Sequence, residues 1–495
     1  MEKHAATESS SNPDLEKNEP ASSTANSDET DRSTFQVQFD DGENPKAFSP
    51  YYKAFLTWEM SMLAFVGSLG SSIMSPAQTD LSEYLNISKE LTVLSLSLFV
   101  LGYAFGPLIW APISEVYGRR WSMLPAVFAL GILSIGTAVS QNPASVFITR
   151  FIGGVFGSAP ISNVSAALGD IYDPRTRGVP MSFYALCVIG GPALAPLVGA
   201  SLTVNPHLGW RWTEYMEAII VYVVFMITVL FLPETYAPVL LRKKAQKMRK
   251  ETGDQRYWHP SEGMKVDLRN IATKQLSRPL RMFFTEPMVF TIALYASFIY
   301  GLLFLTLEVF PIIFQENRHF TLVISTLPIL GLLVGVICAL FVNLANQPLY
   351  TRAVERNNGK AVPEARLPPM IIGGCLFSSG LFWFGWTADP EIPWVAPTVA
   401  AGFIGAGFNI VFQQCLNFLV DTYGTYAASA VAANNLLRCL MAFGLPLVAR
   451  PMFLNLGVGP AASLLGGISC LALPVPFLFM KYSERLRARS KFVEN

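Results

Sequence analysis

Charged residues are scarce in this sequence. Only 14% of its 495 residues are Asp, Glu, Lys or Arg, whereas soluble domains carry about 25%. The 36 basic and 35 acidic residues leave a formal charge of +1, so the basic excess of a nucleic-acid-binding protein is missing. Because 52% of the residues are hydrophobic and the mean hydropathy is positive, the composition indicates a membrane protein.

Residues that hold metals or nucleotides are also few. The four histidines are scattered, and the six cysteines lie in apolar runs without CxxC spacing, so neither a metal site nor a disulfide framework is expected. Gly359-Lys360 lacks the upstream glycine and the Ser or Thr of an ATP-binding loop. The glycines of 402–407 lie inside an apolar run, which favours helix packing. The sequence therefore predicts no cofactor, no metal and no ATP hydrolysis.

Apolar runs dominate the chain after a polar beginning. Residues 1–53 contain too little apolar surface to offset chain entropy, which predicts a disordered tail. Beyond it, twelve runs come close to the roughly 20 residues that cross a bilayer. The predicted spans are 54–76, 91–111, 122–140, 144–168, 179–202, 213–232, 287–314, 321–345, 369–387, 394–419, 424–448 and 456–480.

The basic residues predict the orientation of these spans. If the first residue is cytoplasmic, 30 of the 36 Lys and Arg residues fall on the cytoplasmic side, as the positive-inside rule requires. Both termini, including the tail 481–495, are therefore expected in the cytoplasm. A long linker, 233–286, separates six spans in 54–232 from six in 287–480. This division predicts two packed helical halves with a cavity between them.

The loop between spans 2 and 3 combines an acid, a glycine and two arginines, namely Glu115, Gly118, Arg119 and Arg120. Such a loop forms a charge latch that pairs with a neighbouring helix end in one conformation. The alternative is ordinary anchoring by positive charge. A related but less complete pattern follows span 8, where Tyr350, Arg352, Gly359 and Lys360 occur.

The 2/3 loop resembles the signature loop of the major facilitator superfamily. The resemblance continues along nearly the whole chain and is strongest to fungal drug:proton antiporters with twelve spans. It implies an all-α major facilitator fold and a proton-coupled exporter of drugs, toxins or secondary metabolites at the plasma or vacuolar membrane. A polyamine or organic-acid exporter is the alternative, and a polytopic enzyme is less favoured. The segments that carry it include 41–46, 150–154, 169–172 with the latch candidate Asp170, 209–212, 233–238, 363–367 and 419–423.

Several charged residues fall inside predicted spans, where a charge is costly and usually functional. The resemblance matches Arg150 to an arginine of helix 4 implicated in proton coupling; the alternative is a purely structural role. Glu308 in span 7 is a candidate proton carrier or cation site unless it is hydrated near the outer face. Arg438 in span 11 is a weaker candidate for such a functional charge; the alternative is packing, or pairing with Asp421 at the cytoplasmic end. Glu217 is expected at the membrane interface.

Two further groups complete the predicted site. Span 5 resembles the antiporter helix of exporters in this superfamily, although alanines replace two of its glycines; simple helix packing is the alternative. Its characteristic residues are Gly190, Gly191, Pro192, Pro196 and Gly199. Aromatic and amide residues of spans 7 and 10 are candidates for lining the substrate cavity. They are Tyr295, Phe298, Tyr300, Phe304, Gln413, Gln414 and Asn417.

The remaining predictions concern partners and modification. A small molecule and protons are the expected partners, and the chain is expected to act as a monomer. The basic segment 240–250 is predicted to lie on anionic lipid as a surface helix, with a solvated linker as the alternative. Asn86-Ile87-Ser88 is a glycosylation sequon in the first outside loop.

Overall fold

Long helices form almost the entire structure. The computed structural model describes residues 35–40, 42–173, 176–263, 277–357, 361–487, 490 and 492. Twelve of its helices correspond to the predicted spans and are labelled in chain order. They are α1 (Pro50–Leu69), α2 (Leu94–Tyr117), α3 (Arg119–Ala138), α4 (Pro143–Ile171), α5 (Gly178–Thr203), α6 (Arg211–Phe231), α7 (Pro287–Phe310), α8 (Ile329–Arg356), α9 (Leu367–Trp386), α10 (Val395–Tyr423), α11 (Ala427–Leu456) and α12 (Val458–Ala472, followed by Pro474–Arg487).

Each predicted span overlaps one of these helices. Within the described residues, eleven helical stretches are long and apolar enough to cross a membrane. Helix α1 does not meet that measure because Lys53 and Glu59 lower its apolar content. Glu59 is only 1% exposed, so its carboxylate faces other helices rather than lipid. Helix α8 continues to Arg356, well beyond the predicted end at residue 345. Its last turns are polar, so the apolar run in the sequence ends before the helix does.

Short turns separate several of the helices. Gly118 has a φ of +100°, which allows α2 to end and α3 to begin without a loop. Asn142 starts α4 by accepting a hydrogen bond from the Ser145 N–H at 2.8 Å, and Pro143 occupies the first helical position. Gly424, with a φ of +44°, follows α10. These three turns explain how helices 2/3, 3/4 and 10/11 are joined by so few residues.

Glycines bring two pairs of helices into backbone contact. A Cβ atom added to Gly154 of α4 would lie 1.9 Å from the Phe99 carbonyl oxygen of α2. A Cβ atom added to Gly335 of α8 would lie 1.8 Å from the Gly402 carbonyl oxygen of α10. Small residues at such crossings allow dispersion contacts between helix backbones. The run 402–407 therefore serves helix packing, as its apolar surroundings predicted.

The described part of the chain separates into two compact units. Of the described residues, the smaller unit contains 35–40 and Pro238–Gly263, and the larger contains those of 42–237 and those from 277 onward. In the smaller unit, Val37 N–H donates to the Trp258 carbonyl at 3.1 Å, and Trp258 N–H donates to the Phe35 carbonyl at 3.1 Å. The Arg256 guanidinium lies 4.0 Å from the centroid of the Phe35 ring.

These contacts show that the predicted disordered tail includes residues that pair with the linker. Residues 35–40 are paired with the linker because Phe35 and Val37 supply apolar surface within an otherwise polar segment, and α1 already begins at Pro50. The predicted disorder of residues 1–34 concerns residues outside the described ranges. The basic segment is helical, within Ala237–Thr252, as expected. In that helix Lys244 forms an ion pair with Asp40 at 2.7 Å.

Candidate functional site

Two of the predicted latch residues, Arg119 and Asp170, meet where α3 begins and α4 ends. The Arg119 Nε–H donates to Asp170 Oδ2 at 2.9 Å, and its Nη1–H donates to Ser114 Oγ at 2.6 Å. The guanidinium also lies 4.5 Å from the centroid of the Tyr236 ring. Arg119 therefore ties the first turn of α3 to the last turn of α4. Burial raises the pKa of the Tyr236 phenol, so this ring stays neutral beside the arginine.

A residue that the sequence analysis did not select, Glu234, completes this cluster. Its carboxylate accepts hydrogen bonds from the backbone N–H groups of Arg119, at 2.9 Å, and Arg120, at 3.3 Å. An anion at a helix N-terminus satisfies free N–H groups and favours the helix dipole. Glu115, by contrast, is exposed and forms no ion pair or hydrogen bond with any described residue. The acidic contacts of the cluster thus come from Asp170 and Glu234 and not from Glu115.

The same arrangement recurs at α9 and α10. The Arg366 Nε–H donates to Asp421 Oδ2 at 2.9 Å, just as Arg119 bonds Asp170. The Tyr350 hydroxyl donates to the same Asp421 oxygen at 2.9 Å, and the Arg366 guanidinium lies 3.4 Å from the Tyr350 ring centroid. In this second cluster Arg366 therefore takes the position at which the sequence pointed to Arg352, which is exposed. Gly359 and Lys360 lie outside the described residues.

Arg150 lies in a buried charge cluster between α2, α4 and α6. Its Nη1 lies 3.1 Å from Glu214 Oε1 and 3.6 Å from Glu217 Oε2. Its Nε–H donates to the Ser95 carbonyl at 2.8 Å, its Nη2–H donates to the Gly70 carbonyl, and the guanidinium lies over the Phe99 ring. All three charged side chains are at most 1% exposed.

The expectation of an interfacial Glu217 is therefore wrong. Glu214 and Glu217 are three residues apart, so both lie on the face of α6 that meets Arg150. Gly70 has no side chain and so leaves room for the Glu217 carboxylate, since a Cβ atom there would lie 2.2 Å from Glu217 Oε1. The sequence signal for this cluster was two acids spaced three residues apart in one span, together with a basic residue in another span. With both carboxylates ionised the cluster carries one excess negative charge, and one proton neutralises it.

Glu308 is buried at the opposite end of the helices from the Arg119 cluster. Glu308 is only 8% exposed, and both oxygens of its carboxylate accept hydrogen bonds from Gln78 Nε2, at 2.9 and 3.0 Å. Gln78 begins the short helix Gln78–Leu85, which follows α1. The contact therefore joins a segment of the first six helices to α7. Glu308 is not a hydrated surface group.

Helix α5 packs against α1 and the turn that follows it, through four of its five characteristic residues. A Cβ atom added to Gly199 would lie 2.2 Å from the Ile73 carbonyl oxygen, and one added to Gly191 would lie 2.1 Å from Ser68 Oγ. The Ser72 hydroxyl donates to the Pro192 carbonyl at 2.8 Å. Pro192, Pro196, Gly191 and Gly199 are buried at this crossing.

We expect Gly199→Ala to disrupt this crossing because the added methyl group meets a backbone oxygen that cannot move independently. The melting temperature of purified protein should fall by several degrees. Gly190→Ala is the matched control, since its Cβ atom would lie 3.8 Å from Leu333, an ordinary contact. Equal melting temperatures for the two variants would contradict a close approach at Gly199.

The predicted cavity residues do not form one group. Tyr300 and Phe304 lie 5.3 Å apart between ring centroids, and Tyr300 also contacts Phe408 and Phe412. Tyr295 instead is buried towards α9, where a Cβ atom on Gly374 would lie 2.5 Å from its hydroxyl.

The amides of α10 bond to α8. Asn343 Nδ2–H donates to Gln413 Oε1 at 2.6 Å, and Gln414 Nε2–H donates to Asn343 Oδ1 at 2.9 Å. Phe298 and Asn417 are partly exposed. Asn343 joins the two glutamines although the sequence analysis did not select it.

The alternative in which Arg438 pairs with Asp421 is wrong. Asp421 is bound to Arg366, at the end of α10. Arg438 lies eleven residues inside α11, roughly 16 Å along the helix from its start. Its Nη2–H donates to Asn435 Oδ1.

The sequence model of the Major Facilitator Superfamily matches residues 60–446. The chain belongs to this superfamily. It is 36% identical to the major facilitator superfamily multidrug transporter FLU1 of Candida albicans, with 93% of this chain and 76% of that protein covered. It is 38% identical to the efflux pump bik6 of Gibberella fujikuroi, with 91% and 93% covered. Inward-open XylE, the xylose transporter from E. coli, has the same fold, with a TM-score of 0.61 at 17% identity, covering 86% of this chain and 96% of that chain.

The predicted fold is thereby confirmed. The chain is an all-α, multi-pass membrane protein with the twelve-helix major facilitator architecture of two six-helix halves. Members of this superfamily are transporters. Among the described residues, no group of three or more His, Cys, Asp or Glu side chains is arranged to hold a metal ion.

We expect the contacts of Arg119 to affect the turnover rate of this superfamily member. Arg119→Ala removes the side-chain contacts to Asp170 and Ser114, which should shift the balance between conformations and lower the maximal transport rate. The substrate KM should stay within a few fold. Arg120→Ala is the control, because that side chain bonds only the Val229 carbonyl among described residues. Wild-type turnover in Arg119→Ala would reduce the cluster to an anchor.

The sequon Asn86-Ile87-Ser88 lies in an exposed turn of this superfamily member. Asn86 is exposed and has a φ of +53°. The Ser88 hydroxyl accepts a hydrogen bond from the Leu91 N–H at 3.4 Å and so caps the helix Lys89–Thr92. Glycosylation at Asn86 stays a prediction.

Proposed function

We propose that the chain is a proton-coupled secondary transporter that exports small organic molecules, such as drugs, toxins or secondary metabolites, by alternating access. One observation carries the proposal: Arg150 shares a fully buried site with two carboxylates, Glu214 and Glu217. In a buried cluster with one more acid than base, the excess negative charge is costly, and binding one proton neutralises it. Such a cluster can therefore take up and release a proton. The multidrug and efflux names of FLU1 and bik6 support the direction of transport.

In the proposed cycle, the substrate enters a central cavity from the cytoplasm and the two halves rock to release it outside. Protons returning down their gradient reset the carrier through Arg150, its two glutamates and Glu308. The clusters of Arg119 and Arg366 act as latches on the cytoplasmic side. The contact between Gln78 and Glu308 acts on the outer side. Each latch stabilises one conformation and so biases the exchange between them.

The orientation and membrane belong to the same proposal. Both termini lie in the cytoplasm, as the concentration of basic residues in 236–281 and after 480 indicates. The chain works as a monomer in the plasma membrane, with the basic face of Ala237–Thr252 against anionic lipid. The vacuolar membrane is the alternative location.

Transport into everted plasma-membrane vesicles tests the proposal. Vesicles from pump-deficient yeast that express the chain are loaded with an acidic lumen and offered cationic, neutral and anionic fluorescent dyes. At least one dye should accumulate without ATP, and a protonophore should abolish its accumulation. Vesicles without the chain are the control. Accumulation that requires ATP and persists with the protonophore would contradict proton coupling.

A further inference from the structure

Arg438 is a cation near the middle of α11 with no acidic partner among the described residues. Its Nε is buried and makes no hydrogen bond, while its Nη2–H donates to the Asn435 side-chain oxygen. Several other arginines in the long helices or at their ends form ion pairs with carboxylates. Those pairs are Arg119 with Asp170, Arg150 with Glu214 and Glu217, Arg366 with Asp421, Arg450 with Glu316, and Arg487 with Glu364. An uncompensated charge at this depth is costly and indicates a functional site.

Aromatic rings surround this cation. The Arg438 guanidinium lies 4.7 Å from the centroid of the Tyr300 ring and 5.0 Å from that of Phe412. The two rings lie 5.9 Å apart and continue into Phe408, whose ring stacks on Phe412 at 5.7 Å. Cation–π contacts stabilise the guanidinium in place but leave its charge uncancelled. A wall of aromatic rings therefore stands next to a fixed positive charge.

The cluster faces the interior of the protein, between helices of both halves. Tyr300 belongs to α7, Phe412 to α10 and Arg438 to α11. Asn435, which bonds Arg438, also donates to the Tyr103 carbonyl of α2 at 3.2 Å. Arg438 is partly exposed, so part of its side chain remains accessible. Substrate sites of such transporters lie near the bilayer midplane at the interface of their repeats.

The carboxylates nearest to the cluster along α7 and α10 are bonded to other residues. Glu308 follows Tyr300 by eight residues on α7, roughly 12 Å along the helix, and is bonded to Gln78. Asp421 is bonded to Arg366 at the end of α10. The titratable groups beside Arg438 are Tyr300, Cys439 and Tyr184 of α5, all neutral at physiological pH. The cluster is therefore positive, which attracts anions and repels cations.

We propose that Arg438, Tyr300 and Phe412 form the anion-binding part of the substrate site, and that the exported molecules are aromatic acids carrying a carboxylate or phenolate. The acid group binds the guanidinium, and the ring stacks against Tyr300 and Phe412. This inference rests on the proposed export function and narrows its substrate class. The guanidinium forms two parallel hydrogen bonds to a carboxylate, which a lysine ammonium does not reproduce.

Binding of two xanthene dyes to the purified full chain in detergent tests the inference. Fluorescein and rhodamine 123 have similar planar frames, but fluorescein is an anion and rhodamine 123 is a cation. We expect the wild type to bind fluorescein at least about ten-fold more tightly than rhodamine 123. Sodium salicylate should displace fluorescein, and sodium chloride at the same concentration should not.

Variants identify the residue responsible. Arg438→Gln should lose at least ten-fold in fluorescein affinity and leave rhodamine 123 binding unchanged or stronger, and Arg438→Lys should lie between it and the wild type. Arg450→Gln is the matched control, since it removes an arginine from the same helix whose charge is paired with Glu316. Size-exclusion profiles and melting temperatures verify that each variant is folded.

Each outcome decides the inference separately from the proposed function. Preference for the cation, equal binding of both dyes, binding of neither, or displacement by chloride overturns the anion site, whatever the vesicle assay shows. Equal loss of both dyes in Arg438→Gln also overturns it. Selective binding of fluorescein without proton-driven transport in vesicles supports the anion site and contradicts proton-coupled export.

Discussion

Arg150→Ala is expected to abolish proton-driven transport. The substitution leaves Glu214 and Glu217 buried without their cation, and removing one partner of a buried pair costs about 3–5 kcal/mol. Both the amount of folded protein and the accumulation of dye in everted vesicles should therefore fall. Arg150→Lys keeps the charge but loses the fork that reaches Ser95, Gly70 and Glu214 together, so it should retain folding better than transport.

A combined variant separates coupling from stability. Arg150→Ala together with Glu214→Gln and Glu217→Gln removes the whole charge cluster while it preserves most of the volume of α6. We expect its melting temperature to recover towards that of the wild type, because no unpaired charge remains buried. Its transport should stay absent, because no group in the cluster can exchange a proton. Proton-driven transport in this triple variant would show that the cluster is purely structural.

Glu308→Gln should impair transport of every substrate and flatten its pH dependence. Glutamine has nearly the same shape as glutamate and can still accept a hydrogen bond from Gln78, but it cannot ionise. If Glu308 loads and releases a proton, rates in vesicles between about pH 5 and pH 8 should vary with pH for the wild type and hardly vary for the variant.

Two other results for Glu308 would each point to a different role. Loss of cationic dyes alone would assign it to cation binding, and unchanged rates and pH dependence would leave it as a structural contact. Gln78→Ala is the matched control, because it removes the hydrogen-bond donor and preserves the carboxylate. We expect that variant to change the transport rate without flattening the pH profile.

The helices were predictable because their signals are local. Runs of about 20 apolar residues and glycine or proline at the turns identified all twelve positions, including the tight turns at Asn142 and Gly424. Helix α1 was found from its length although Glu59 interrupts it, since a buried charge lowers hydropathy without preventing a span. The polar end of α8 was missed because apolar content ends before the helix does.

Partners of the charged residues were less predictable because they depend on which helices meet. Arg150 and Asp170 were selected from the sequence, but Glu214 and Glu234 were not. Glu217 was placed at the interface because it lies close to the start of its span, yet α6 presents it to Arg150. Helix rotation about its own axis is fixed by tertiary packing, and the sequence alone leaves it open.

The glycine crossings described above suggest how movement is distributed in this protein. Where α2 meets α4 and α8 meets α10, backbones touch, and neither helix can slide without forcing carbonyl groups together. The contacts between segments of different halves, from Gln78 to Glu308 and from Asn435 to the Tyr103 carbonyl, pass through amide side chains that can rotate. Movement is therefore expected between the two halves rather than at these crossings, because the hydrogen bonds that link the halves can break and re-form individually.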